Sequence, residues 1–279
     1  MKAIKLASIF AVSAVAAAVS TTTMAAEPVF SGSAGLNYYS YESGSDEVGS
    51  EGEVNIIGDT GLVYFDLDME SGPDGFDLDE IYVTQGAVQF GDFDGSLIDA
   101  AAFSAGVWED NDDAKYPTDN DLAIRYSVSD ELTVAVEAVE GSDEGSLAFS
   151  YLTNAGGVDL GVSGAFHDGD NVAVTLGVSA PVGPATVSGF VITGSAAEAD
   201  VMNYGVGLDL PVTDAVSFAA QYYTLTGESE VDTDYEDAGV FEVAAYYTAG
   251  DITYFASMVT FEDDAAEADY TVIGASASF

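Results

Sequence analysis

Few residues in this 279-residue chain combine the reactivity and the spacing that chemistry demands. The single histidine, His167, lies in Phe166-His-Asp-Gly-Asp170 and is the first general base to weigh. Ser163 shares its strand parity, but four residues of extended chain at about 3.3 Å each put that hydroxyl about 13 Å away. A nucleophile would have to come from another strand, and no residue pattern marks one. His167 therefore reads as a strand-end residue, and no catalytic set is assigned. Two acidic runs, Glu109-Asp-Asn-Asp-Asp113 and Asp232-Thr-Asp-Tyr-Glu-Asp237, offer the oxygen ligands that calcium takes. Neither has the glycine at the sixth position of an EF-hand loop, so Asp110, Asp112 and Asp113 make only a weak calcium candidate. No cofactor is implied beyond loosely held calcium. Trp108, beside the first run, could stack on a sugar or anchor its segment to a wall.

The first acidic run sits in the one long gap of the chain. Between Asp92 and Asn120 no strand pattern is found, and a structureless stretch of this length is usually functional or disordered. Elsewhere sixteen short runs of period two, from 28–41 to 269–279, follow one another with Gly, Pro, Asn and Asp between them. Their parity separates side chains cleanly. Leu132, Val134, Val136 and Ala138 share one face and Thr133, Ala135 and Glu137 the other. Met202, Val206 and Leu208 oppose Asn203 and Asp209, while Phe241 and Val243 oppose Glu242. Connectors alternate between tight turns, such as Asn154-Ala-Gly-Gly157, and longer acidic loops, such as Gly227 to Ala238.

Composition narrows the class. Met1-Lys-Ala-Ile-Lys5, the apolar stretch Leu6–Val19 and Thr23-Met-Ala-Ala26 read as a secretory signal over 1–26, followed by one domain over 27–279. Beyond the signal, 49 acidic residues face two basic ones, Lys115 and Arg125, a net charge of −47. Phosphates would repel such a chain, which argues against nucleic acid as a partner. An exported chain without cysteine cannot be held by disulfides. With 16 Tyr and 15 Phe it is too aromatic for a disordered acidic chain. No later segment is a continuous apolar run of about 18 residues, as a spanning helix needs. A β-sandwich also alternates, but alternating connector lengths and an apolar face free of charge fit a transmembrane antiparallel β-barrel, apolar outside and polar inside. There a basic residue facing lipid would cost about 2–4 kcal/mol. Tyr38-Tyr39, Tyr222-Tyr223 and Tyr246-Tyr247 suit aromatic girdles at the two interfaces.

The last run, Tyr270-Thr-Val-Ile-Gly-Ala-Ser-Ala-Ser-Phe279, resembles the final strand of bacterial outer-membrane barrels, whose terminal Phe is read by the barrel-assembly machinery. Asp79-Glu-Ile-Tyr-Val-Thr84, Val88-Gln-Phe-Gly91, the long gap and Leu122-Ala-Ile-Arg-Tyr-Ser127 together resemble the passage into the third external loop of general diffusion porins, nearest those of alphaproteobacteria. The resemblance implies an all-β, sixteen-stranded barrel with that loop folded inward. It also implies a homotrimer in outer-membrane lipid and a constriction drawn from Asp92, Asp94, Asp99, Glu109, Asp110, Asp112, Asp113, Lys115 and Arg125. Sixteen strands enclose a water-filled bore. The expected function is an outer-membrane, cation-selective channel for ions and small hydrophilic solutes, with Glu137, Asp159 and Glu242 adding charge to its wall. The alternative is a non-conducting structural or adhesive outer-membrane barrel. Two features depart from the porin pattern. The chain is short for sixteen strands, and where porins set a basic cluster opposite the loop it offers Glu51, Glu53, Asp66, Asp68 and Glu80. The acidity equally suits an exported surface solvated in a saline medium.

Overall fold

The computed structural model describes residues 28–42, 44, 46–70, 77–93, 95–108, 121–139, 145–167, 172–196, 199–229, 233–262 and 269–279. The expected signal segment, Asp94, the acids 109–113 and Lys115 lie outside them. Sixteen strands are formed: β1 (Val29–Tyr41), β2 (Asp46–Asp59), β3 (Val63–Glu70), β4 (Asp77–Gln85), β5 (Val88–Asp92), β6 (Leu122–Ser127), β7 (Leu132–Ala138), β8 (Gly145–Ala155), β9 (Val158–His167), β10 (Val172–Val182), β11 (Ala185–Ala196), β12 (Ala199–Thr213), β13 (Val216–Ser229), β14 (Thr233–Ala249), β15 (Ile252–Glu262) and β16 (Tyr270–Ser278). Each pairs antiparallel with its neighbours in the chain, and β16 returns to β1. Closure leaves no sheet edge. The seam continues past Ser33↔Ser278 to the last residue, with Gly32 N donating to Phe279 O at 3.1 Å and Phe279 N to Gly32 O at 3.0 Å.

The parity read from the sequence is the parity of the barrel. Val134 and Val136 are each 37% exposed, whereas Glu137 between its neighbours is 1% exposed. Phe241 and Val243 likewise point out and Glu242 in. A slip of one residue would put these carboxylates outside and the valines inside, so the register is strongly specified. The turns on the rim that holds both chain ends are tight. Between β8 and β9, Gly156 and Gly157 both take positive φ (68° and 90°), the backbone a two-residue hairpin of this twist requires.

Strand lengths differ around the wall. β5, β6 and β7 have 5, 6 and 7 residues, whereas β12, β13 and β14 have 15, 14 and 17. The taller side begins earlier than apolar alternation predicts, at Ala199 and Thr233 instead of about 202 and 239. The added residues include Asp200, Asp234, Glu236 and Asp237 and carry no apolar period. Backbone pairing alone extends the hairpin, through Gly227↔Tyr235, Glu228↔Asp234 and Ser229↔Thr233 after a register shift at Leu225/Gly227.

A packed cluster forms inside the barrel. Leu97 and Ile98, from a 3₁₀ helix over Leu97–Ala101, sit among Ala135, Ala148, Ala165, Ala173, Phe190 and Ile192. The described part of the connection between β5 and β6, around 97–102, therefore lies against the inner wall.

Candidate functional site: a strap across the inner wall

Residues 95–108, continuing from Phe93, form a strap whose backbone polar groups must find partners in a place with few strands to pair with. Its root is held by the only basic side chain among the described residues. Arg125 on β6 donates through Nη2 to Gly95 O at 2.6 Å and lies over the Phe93 ring at 3.9 Å. Phe93 in turn stacks on Tyr82 (4.7 Å), and Tyr82 on Tyr64 (4.8 Å), giving a ladder of rings across β3 and β4.

Glu137 on β7 takes the next turn. Its Oε2 accepts from Ser96 Oγ at 2.6 Å and from Ser146 Oγ at 3.2 Å, and its Oε1 accepts from Leu97 N at 2.9 Å. Ser96 caps the 3₁₀ helix and also accepts from Ile98 N. On β9, Ser163 Oγ donates to Ile98 O and accepts from Ala101 N at 3.3 Å. Further on, Gly106 N donates to Asp209 Oδ1 on β12 at 2.9 Å, and Trp108 N to Glu242 Oε1 on β14 at 2.8 Å. Ser257 Oγ also donates to Glu242. The Trp108 ring then stacks on Phe255 of β15, 4.3 Å between centroids and 15° between planes, so the anchor reading of this residue holds.

The wall beneath the strap is built of small inward residues. Ser146, Ala148 and Ser150 lie on β8, and Ala173 and Thr175 on β10. Gly161 of β9 and Gly177 of β10 leave room for the strap backbone. A Cβ on Gly161 would stand 2.8 Å from Ala101 Cβ, and one on Gly177 would run into the Ala101 carbonyl. Gly207 of β12 does the same for Ala105, at 2.8 Å.

The opposite stretch of wall has another chemistry. Glu53, Asp66, Asp68 and Glu80 share the inward parity of β2–β4 and remain half-exposed. Asn55 Nδ2 donates to Glu53 and, at 2.8 Å, to Asp68. The acids that replace the expected basic cluster thus stand together on one face.

Of the expected constriction residues that are described, Arg125 and Asp99 belong to the strap and its root, and Asp92 does not. Asp92 is paired with Leu122 and Ile81, on the parity of outward apolar residues and not with Arg125. Asp99 sits in the 3₁₀ helix, in its first turn. Glu137 and Glu242 face inward as expected, yet both are buried beneath the strap. Asp159 is inward and exposed near the tight rim, with Asn154 donating to it at 2.7 Å. His167 is half-buried at the end of β9, where its backbone pairs with Ser146 of β8. Among the described residues no three metal-capable side chains converge. Each tyrosine pair is split by the pleat: Tyr38 and Tyr247 point out, while Tyr39 stacks on Tyr41 inside and Tyr223 is buried. Only one of each pair can serve an outer girdle. The sequence marks Ser163 only as a hydroxyl too far from His167 and Asp209 only as a polar-face residue, and it does not mark the glycines of the track; the run of small residues on one parity of β8–β10 is the available signal.

Solved structures share this architecture. A loop-deletion variant of OmpT, an outer membrane protein of Vibrio cholerae, is 14% identical and superposes with a TM-score of 0.68, covering 91% of this chain and 99% of that one. OmpF of Salmonella typhi is 9% identical at 0.63, covering 90% and 97%. A Rh. blastica porin variant is 15% identical at 0.59, covering 91% and 100%. No family model and no curated protein matches the sequence. The class defined by the fold is the closed, sixteen-stranded antiparallel barrel. More particularly, porins of the outer membrane are among the solved structures that share this barrel, a likeness of fold at 9–15% identity.

Proposed function

We propose that the chain is an outer-membrane porin, a water-filled and cation-selective channel for ions and small hydrophilic solutes, assembled as a homotrimer after export with loss of residues 1–26. The observation that carries the selectivity is the half-exposed carboxylate face of Glu53, Asp66, Asp68 and Glu80. Opposing positive charge is scarce: Arg125 is tied to Gly95 and Phe93. Solute passes between the strap and the β2–β4 wall, where fixed negative potential enriches cations. The outward Val, Leu and Phe meet lipid, and lumenal water solvates the acids.

Planar-bilayer recording tests this reading. The zero-current potential across a KCl gradient should take the cation-selective sign at 0.1 M and shrink toward 1 M, as the Debye length falls from about 8 Å at physiological salt to about 3 Å. Asp66→Asn with Glu80→Gln should lower it further. An anion-selective or unselective channel at 0.1 M defeats the charge assignment. Absence of conductance would instead favour the plugged structural or adhesive barrel.

A further inference from the structure

The carboxylates that face inward do not share one task. Glu137 and Glu242 are the most buried acids described, at 1% and 0% exposure, and each accepts hydrogen bonds from both the strap and a wall serine. They stand on β7 and β14, on distant strands of the barrel, and each accepts from a strap backbone N–H near one end of the described segment. Asp209 holds Gly106 between them. A carboxylate is suited to this because it accepts without a hydrogen to place and forms stronger bonds to N–H than a neutral acceptor does. The glycines at 161, 177 and 207 let the intervening backbone lie flat on the wall.

We propose that Glu137, Asp209 and Glu242 are positioning residues, a carboxylate clamp that holds the strap in its glycine-floored track and so sets the bore, while the acids of β2–β4 set ion preference. The statement about bore rests on the channel reading; the clamp itself rests on the bonds alone. A selectivity acid acts through its charge on passing ions. A clamp acid acts through its acceptor oxygens on N–H groups, which an amide oxygen can replace in part.

The full-length protein, refolded in detergent and reconstituted, separates the two roles. Glu137→Ala and Glu242→Ala should speed hydrogen exchange of the 96–108 peptide by about tenfold or more, the factor that losing a hydrogen bond to a charged group implies. Single-channel traces should gain flicker and sub-levels. Glu137→Gln and Glu242→Gln should restore most of the protection and move the zero-current potential less than Asp66→Asn with Glu80→Gln. Should the alanine variants not fold, Ser96→Ala removes one donor to Glu137 without changing charge, and should speed exchange around 96–101 several-fold. Unchanged exchange in the variant that folds overturns the clamp, as does a potential shift from the Gln variants equal to that of the β2–β4 pair. A wild-type protein that protects the strap but conducts nothing would leave the clamp standing and remove the channel.

Discussion

At the residue scale, the same side chain does different work according to what covers it. Glu80 and Glu137 both point inward, but Glu80 stays partly exposed and Glu137 is closed over by Ser96 and Leu97. Parity alone expects every inward position to be open to water, so a lumenal cysteine should react faster than a lipid-facing one. The strap divides the inward set. Ala148 is inward but buried under Ile98 and Leu97, while Leu147 beside it points out. In this cysteine-free background, Glu80→Cys should react with a water-soluble maleimide at least about tenfold faster than either Ala148→Cys or Leu147→Cys. The comparison is made on membrane-embedded protein by mass shift. Equal rates at 80 and 148 would mean that the strap does not rest on β8.

At the element scale, the strands were legible and the strap was not. Strands such as β7 and β14 carry an apolar row against isolated charges, so period two is visible over four or five positions. The strap has no period because no ladder repeats along it; its bonds go in ones and twos to β6, β7, β9, β12 and β14. Its location was written elsewhere, in the inward positions of β8, β9 and β10, which carry Ser, Ala, Gly and Thr where the inward positions of β3 carry Tyr64, Asp66 and Asp68. A wall of small residues inside a wide barrel marks where something else will lie. The upper parts of β13 and β14 were missed for the converse reason, since backbone pairing in water needs no apolar signal. Gly177→Val tests the track directly. The new side chain must displace the Ala101 carbonyl, and overpacking of this kind costs about 1–3 kcal/mol. The barrel should remain folded, because the outward face of β10 and its pairing to β9 and β11 are untouched. The strap should lift, seen as faster exchange over 97–105 and an altered size limit in liposome swelling with a series of sugars. Wild-type exchange in the variant would show that the close approach at Gly177 has no hold on the strap.

At the scale of the whole molecule, the decisive event is closure, since a barrel with one unpaired seam presents two sheet edges. The seam between β1 and β16 runs from Tyr41↔Tyr270 to Ser33↔Ser278, and the reciprocal Gly32–Phe279 bonds complete it. The Phe279 ring points outward, 69% exposed, and leans over the bare backbone of Gly32, where a Cβ would stand 2.7 Å from the ring. Phe279 thus closes the seam through its backbone, and we propose that its ring is the assembly signal. Two variants pull these apart. Deleting Phe279 removes both backbone bonds, worth about 0.5–1.5 kcal/mol each, together with the ring contact. Phe279→Ser keeps the bonds and removes only the ring. Deletion should lower the temperature at which the heat-modifiable band unfolds on a gel, and Phe279→Ser should lower it less. Both should insert poorly in cells, with unassembled chain accumulating before the outer membrane. If Phe279→Ser inserts as well as the parent, the ring is not the assembly signal; if deletion leaves the unfolding temperature unchanged, the last pair of hydrogen bonds contributes nothing to closure.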